Sequence, residues 1–101
     1  DKEANRIKIT VLKCFDTKEV FKDLDQGKNS GLCLIFKEGQ VFYVDDNMPS
    51  GFCPFAWDVM FLAVITLKFD GNFLEWYDEP GAVVTCCPDG LRPVIFKLER
   101  K

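Results

Sequence analysis

Alternating apolar and polar positions predict strands in the first half of the chain. Ile7, Ile9 and Val11 alternate with polar or charged neighbours, the period of two that is typical of a strand with one buried face. Residues 40–45 repeat this period after a Glu-Gly turn at residues 38–39. We therefore expect two half-buried strands before the middle of the chain.

Two segments carry helix signals. Pro54 suits the first position of a helix, because the amide hydrogen that proline lacks would have no partner there, and this places Cys53 at the N-cap. Residues 55–67 contain only two polar side chains, so we expect this helix to be buried on most sides. A capping box that starts at Asp16 predicts a second, short helix ending near residue 25.

The end of the chain predicts a β-hairpin. Residues 83–87 and 91–99 have strand composition, and the Pro-Asp-Gly at residues 88–90 favours a three-residue turn with its glycine in the left-handed region. Counting back from that turn pairs Cys86 with Arg92.

The second strand of this hairpin should have a core face formed by Val94, Phe96 and Leu98. Pro93 cannot donate to a strand ladder, so we expect the strand at a sheet edge or bulged at that point. The length fits a single domain, residues 1–101. The predicted fold class is α+β: a small, mainly antiparallel sheet of about four strands packed on one long buried helix and one short helix.

Composition excludes several classes of enzyme. The chain has no histidine, so it can form no Ser-His-Asp or Cys-His relay, no histidine-ligated haem and no H-E-x-x-H zinc site. Glycine-rich nucleotide-binding loops are also missing from the sequence. Thirteen Lys and Arg against 16 Asp and Glu give a net charge of −3, which argues against a nucleic-acid partner. We expect a protein without catalysis of its own.

The number of cysteines and the hydropathy of the chain predict a cytoplasmic location. No secretory signal opens the chain, and no apolar stretch reaches the roughly 18–20 residues that a membrane span needs, so we expect no membrane partner. Five cysteines are an odd number, which favours free thiols in a reducing cytoplasm. Because the first residue is Asp rather than Met, a trimmed export signal stays open as an alternative.

Four stretches of the chain carry a resemblance. They are K-I-T-V-L-K at residues 8–13, F-K-E-G-Q-V-F at 36–42, G-F-C-P-F-A-W at 51–57 and C-C-P-D-G-L-R-P-V-I-F-K at 86–97. Together they resemble a family of small stand-alone prokaryotic proteins of uncharacterised function. The resemblance covers nearly the whole chain and implies a reducing cytoplasm, since such proteins come from anaerobic bacteria and archaea, but it implies no activity.

The resemblance also separates the cysteines. Cys14 is additional to the family pattern, and the positions that match it are Cys33, Cys53, Cys86 and Cys87.

Cys53 is the cysteine with the most chemical interest. At a helix N-cap its sulfur would meet unpaired amides and the positive end of the helix dipole, which favour the thiolate. The neighbouring Phe52, Phe55 and Trp57 favour burial instead, which raises a thiol pKa and is typical of a small core residue. Both interpretations stay open on the sequence.

A metal site is the alternative use of these thiols. Cys86 and Cys87 are adjacent in a predicted strand, so their side chains should point to opposite faces. One of them could join Cys33 and Cys53 as a three-thiolate site for zinc or iron. The sequence does not distinguish which of the pair points inward.

Asp58 defines a candidate pocket. It lies one turn into an otherwise apolar helix, where it either faces solvent or, if buried, requires a partner such as Arg92. In the second case Asp58, Trp57 and Arg92 would mark a pocket, and a small enzyme using Asp58 with Arg92 is the third function that we consider.

Aromatic content decides the function that we rank first. Ten phenylalanines, two tryptophans and two tyrosines exceed what a small core requires. We expect some of them to form a homo-oligomer interface, dimer or larger, or an apolar pocket. The leading hypothesis is a non-catalytic binding or interaction module that self-associates, with its small-molecule ligand open. The alternative is a thiol-dependent metal-binding or redox protein centred on Cys53 with Cys33 and Cys86 or Cys87.

Overall fold

The computed structural model describes residues 5–19 and 31–101, and these form an α+β fold. In chain order the elements are β1 (Ile7–Cys14), β2 (Val41–Val44), α1 (Pro54–Lys68), β3 (Ala82–Cys86) and β4 (Val94–Arg100). The four strands make one sheet in the order β2-β1-β4-β3, with every neighbouring pair antiparallel.

The predicted second helix is not among the described elements. The described part of the chain contains the helix α1 alone. At the start of the predicted segment, the Asp16 carboxylate accepts a hydrogen bond from the Lys18 amide at 2.9 Å, and a turn follows. Residues 20–30, where most of the short helix was expected, lie outside the described residues.

The two central strands supply most of the core, as the alternation predicts. Ile9 pairs with Leu98 and Val11 with Phe96, and all four side chains are fully buried or nearly so. The Phe96 ring packs edge-on against Phe36, with ring centroids 5.0 Å apart. These residues form the inner face of the sheet, which α1 covers.

Strand β4 is central, which corrects the expectation of an edge or bulged strand. It lies between β1 and β3 and begins only at Val94. Pro93 therefore precedes the ladder rather than interrupting it. Its carbonyl still accepts a hydrogen bond from the Phe15 amide at 2.9 Å, and this needs no amide hydrogen on the proline.

The hairpin register differs from the predicted one. Cys86 pairs with Ile95 and not with Arg92, so residues 87–93 form a longer connection. The Asp89 carboxylate closes this loop by accepting from the Leu91 amide at 2.9 Å and the Arg92 amide at 3.3 Å. The glycine of the Pro-Asp-Gly stays outside the left-handed region, so the three-residue turn is absent. A side-chain acceptor thus replaces the turn that the local sequence favours.

Helix α1 begins and ends as predicted. Cys53 is the N-cap, with an extended backbone (φ −74°, ψ 123°) and no capping hydrogen bond from its side chain. At the other end Asp70 adopts a φ of 70°, and the Gly71 amide donates to the Thr66 carbonyl at 2.8 Å, which completes a Schellman-type ending. Within the described residues, no helix has the length and apolar character that crossing a membrane requires.

The same helix is buried on one side only, which corrects the expectation of burial on most sides. Ala56, Met60, Val64 and Leu67 are buried against the sheet. The opposite side carries apolar residues that no element of the described structure covers. The described elements make two layers, a sheet and one helix, so they cover only the side of that helix that faces the sheet, whatever its composition.

Candidate functional site

A cavity of about 550 Å³ lies at the N-terminal end of α1 and brings three of the predicted cysteines together. Cys33 comes from the loop before β2, Cys53 from the helix N-cap and Cys87 from the position directly after β3. The remaining lining residues are Leu34, Ile35, Phe36, Phe55, Pro88, Asp89 and Arg92. The wall is therefore mainly apolar, with thiols and one ion pair as its polar groups.

Two of these thiols are held by backbone amides. The Cys33 sulfur accepts a hydrogen bond from the Ile35 amide at 3.4 Å, and the Cys87 sulfur accepts one from the Val94 amide at 3.3 Å. The Cys87 sulfur also donates to the Arg92 carbonyl at 3.9 Å. These contacts fix the positions of both sulfurs in the cavity wall. All five cysteines, each within the described residues, are free thiols.

The structure identifies Cys87 as the member of the adjacent pair that points inward. Cys87 is half-buried and packs against the core, whereas Cys86 is exposed and is not among the residues of the cavity wall. Desolvation by the surrounding protein, together with the nearby Cys87 sulfur, raises the pKa of the Cys86 thiol. Cys86 is the last residue of β3 and Cys87 follows it, and their side chains point in opposite directions, as expected for neighbouring extended residues.

Cys14 is the most buried of the thiols. Its sulfur lies 3.6 Å from the Phe36 carbonyl oxygen, to which it donates. Burial raises the pKa of the Cys14 thiol, and the nearby Cys33 and Glu38 raise it further. Cys14 therefore acts as a neutral core side chain.

The thiols do not sit as a metal site would require. Among the described residues, which include every cysteine, no group of three or more cysteine, aspartate or glutamate side chains is placed to hold a metal ion. Cys86 is also separated from the other three predicted ligands by its outward orientation. The zinc or iron prediction gains no support from this geometry.

The candidate pocket of Asp58, Trp57 and Arg92 is not assembled. Arg92 lines the thiol cavity, but its guanidinium pairs with Asp89 at 2.9 Å, and neither Asp58 nor Trp57 belongs to the cavity wall. Asp58 is exposed on α1, the solvent-facing alternative of the sequence analysis. Trp57 is half-buried with its ring 6.2 Å from that of Phe52.

Desolvation of the Asp89 carboxyl works against its ionised form, but hydrogen bonds from the Leu91 amide and from Arg92 outweigh it and lower the pKa of Asp89. The Asp89 carboxylate and the Arg92 guanidinium are thus both charged and bind each other. Arg92 therefore serves to hold the loop between β3 and β4.

The outward side of α1 forms a second candidate site that the sequence analysis missed. Phe55, Val59, Leu62 and Phe69 are 72%, 52%, 78% and 65% exposed, and they recur at intervals of four, three and seven residues. We call these four residues, with Thr66 between the last two, the α1 seam. Its spacing is that of an apolar stripe along one helix face. The signal was present in the sequence but was hidden, because the opposite face of the helix is apolar as well.

The α1 seam differs from the outer face of the sheet. On the sheet, exposed apolar residues such as Tyr43 alternate with charges, and the Arg6 guanidinium lies 4.4 Å from the Tyr43 ring. Strand β4 carries Lys97 and Glu99 on that face. Such a mixture is typical of a solvated antiparallel sheet. The α1 seam, in contrast, contains no charged residue.

Comparisons with known proteins found no match: no protein-family model, no curated protein and no solved structure matches this chain. The resemblance stated from the motifs therefore stays a prediction. Function has to be inferred from the two sites themselves.

Proposed function

We propose that this protein is a non-catalytic interaction module that self-associates through the α1 seam. The observation that carries the proposal is the uncharged row of large apolar side chains on the side of α1 that no part of residues 5–19 or 31–101 covers. Exposed apolar surface of this kind is costly in water and is characteristic of contact surfaces between proteins.

The size of the seam supports this assignment. A whole aromatic side chain presents about 150–250 Å², so Phe55 and Phe69 each leave roughly 100–180 Å² in water. A standard interface buries about 800 Å² on each partner. The two rings alone would supply about a quarter to nearly half of that area, before Val59 and Leu62 are added.

Burying the polar groups of the α1 seam in an interface would cost little free energy. The Thr66 hydroxyl donates to the Leu62 carbonyl within the helix at 2.8 Å, so covering it would leave no donor without a partner. Asp58 is at the border of the seam and can keep its hydration there. An interface with an apolar centre and a charged rim is the usual arrangement.

Leu62→Glu tests this function. Leu62 is the most exposed residue of the seam, so the change should leave the fold intact and place two like charges in the contact. We expect the dissociation constant of the oligomer to rise at least about 30-fold, the effect of losing about 2 kcal/mol at a central contact. Sedimentation velocity over a concentration series measures it.

Leu12→Glu is the matched control, because Leu12 is an exposed leucine of strand β1 and lies outside the seam. It should associate as the wild type does. Equal association of the wild type and Leu62→Glu would refute the assignment of the seam.

A second candidate function rests on the convergence of Cys33, Cys53 and Cys87 on one cavity. We propose it as thiol chemistry centred on Cys53, supported by the amide donors to the other two sulfurs. Cys53 lies with them in the cavity wall, at the N-cap of α1.

Its test is the rate of alkylation by iodoacetamide, followed for each cysteine by mass spectrometry, with bound metal recorded by native mass spectrometry on the same samples. We expect Cys53→Ser to remove a fast-reacting thiol, while Cys86→Ser, a cysteine outside the cavity wall, leaves that reaction unchanged. If Cys53→Ser alters neither thiol reactivity nor metal content, this candidate is wrong.

A further inference from the structure

We propose that two copies of this chain pack their α1 seams against each other as antiparallel helices, about a two-fold axis that passes at Leu62. This inference rests on the proposed self-association and adds its geometry. It follows from the symmetry of the seam, from the position of its one neighbouring charge and from the cavity at one end of it.

The two phenylalanines of the seam are placed symmetrically about its middle residue. Phe55 and Phe69 each lie seven residues from Leu62, about 10.5 Å along a helix axis. In an antiparallel pair centred at Leu62, Phe55 of one copy meets Phe69 of the other at both ends of the contact. Val59 lies three residues before Leu62 and Thr66 four residues after it, so Val59 of one copy and Thr66 of the other are offset by only about 1.5 Å along the axis and their side chains can meet. Contacts of this kind are self-complementary, as a two-fold interface requires.

The spacing also suits helix-to-helix packing. Intervals of four and three residues repeat over the seam from Phe55 to Phe69, which is the average period of 3.5 residues found where two helices cross at about 20°. The Thr66 side chain is small enough to let the opposing Val59 approach. A helix face that stays in contact with water does not require apolar residues at these intervals.

Asp58 distinguishes the antiparallel from the parallel arrangement. Apart from Lys68 it is the only charged residue of α1, and it borders the seam. Parallel helices in register would place the two Asp58 carboxylates at the same level, with like charges facing each other. The antiparallel pair separates them by about 12 Å along the axis. It also sets the two helix dipoles in opposite directions, which is the favourable orientation.

The thiol cavity receives the end of the partner helix in this arrangement. Phe55 lines the cavity together with Leu34 and Ile35, and Leu34 is 94% exposed. Phe69 of the second copy, meeting Phe55, would therefore pack at the mouth of the cavity and cover these side chains. This extends the apolar contact beyond the helix and explains why two adjacent residues of a loop, Leu34 and Ile35, are both apolar and exposed.

Disulfide cross-linking tests the arrangement. The variants are Val59→Cys, Thr66→Cys and the double variant Val59→Cys/Thr66→Cys, each in a Cys86→Ser background that removes the exposed native thiol. Both replacements conserve size, so the phenylalanine contacts stay in place. Within one chain the two new thiols lie about 10.5 Å apart along the helix, too far for a disulfide. Diamide serves as the oxidant.

We expect the double variant to form a covalent dimer in high yield, while each single variant stays at the level of the Cys86→Ser background. Cross-linking of the single variants would indicate parallel helices and overturn the inference. An associated protein in which no variant cross-links would also overturn it, because the contact would lie elsewhere. Sedimentation of the unoxidised samples separates these results from failure of the proposed function, which would give monomers throughout and refute both.

Discussion

Thr85 faces the core from β3, opposite Phe96 in β4. Its hydroxyl oxygen is buried and has no hydrogen-bond partner within residues 5–19 and 31–101. A buried hydroxyl without a partner costs about 1–3 kcal/mol, because it has lost its water without a replacement. Thr85 is therefore a residue at which the sequence does not optimise stability.

We expect Thr85→Val to raise the free energy of unfolding by about 1 kcal/mol, because valine has the same shape without the unpaired oxygen and suits a strand. Urea denaturation at a fixed protein concentration measures the change. Thr10→Val is the control, since Thr10 lies on the outer face of the sheet beside Val41 and Lys97, and it should stay within about 0.5 kcal/mol of the wild type. A loss of stability in Thr85→Val would mean that the hydroxyl has a partner.

Single-residue burial was largely predictable, and single-residue chemistry was not. The period of two correctly assigned Val94, Phe96 and Leu98 to the core, because alternation depends only on local strand geometry. That Cys87 rather than Cys86 points inward could not be predicted, because it depends on where the strand ends. The Asp89 partner of Arg92 was missed for the same reason, since it belongs to a loop that the predicted register did not contain.

At the level of elements, the junction between α1 and the last two strands is held by Arg100. Its guanidinium donates to the Leu67 carbonyl at 3.0 Å and to the Gly71 carbonyl at 2.7 Å, both at the end of the helix. It also reaches the Asn72 side chain, which accepts from the Gly81 amide at 2.7 Å. A basic residue near helix carbonyls satisfies acceptors that would otherwise be unpaired. Gly81, just before β3, closes this junction with a φ of 73°.

Two glycines that differ in backbone conformation and in the space around them test this part of the fold. Gly81→Ala should lower the free energy of unfolding by about 1–2 kcal/mol, because its left-handed backbone disfavours a side chain and the new Cβ would lie 3.2 Å from an Arg100 nitrogen. Gly90→Ala should be neutral or stabilise by about 0.4–1 kcal/mol, because its φ is ordinary and no atom of another residue lies within 4 Å. Thermal or urea unfolding of both variants measures the difference. If both changes destabilise the protein equally, Gly90 has a left-handed backbone after all, as the three-residue turn predicted from the sequence requires.

Element boundaries were predicted well where a local signal marks them. Pro54 and the Asp-Gly-Asn at residues 70–72 located both ends of α1, because proline and the left-handed cap act through the backbone alone. The hairpin register was wrong by three residues, because Asp89 and the Cys87–Val94 contact, rather than turn propensity, fix its loop. The exposure of one side of α1 was also missed, since it depends on how many layers the fold has.

At the scale of the whole molecule, the antiparallel four-strand sheet and the one helix that residues 5–19 and 31–101 form explain both candidate sites. The helix N-terminus meets the loops at residues 31–36 and 87–93 and forms the thiol cavity. The side of the same helix that the other described elements leave exposed forms the α1 seam. If the second copy packs as proposed, the two sites become neighbours in one interface, with the cavity at each end of the helix pair.

Sedimentation velocity of the wild-type chain under reducing conditions, over a concentration series, tests the central claim most directly. The account predicts a concentration-dependent species of at least twice the 11.6 kDa chain mass. It also predicts that this species is lost in Leu62→Glu and kept in Leu12→Glu. A wild-type protein that sediments at the chain mass at every concentration would contradict the account.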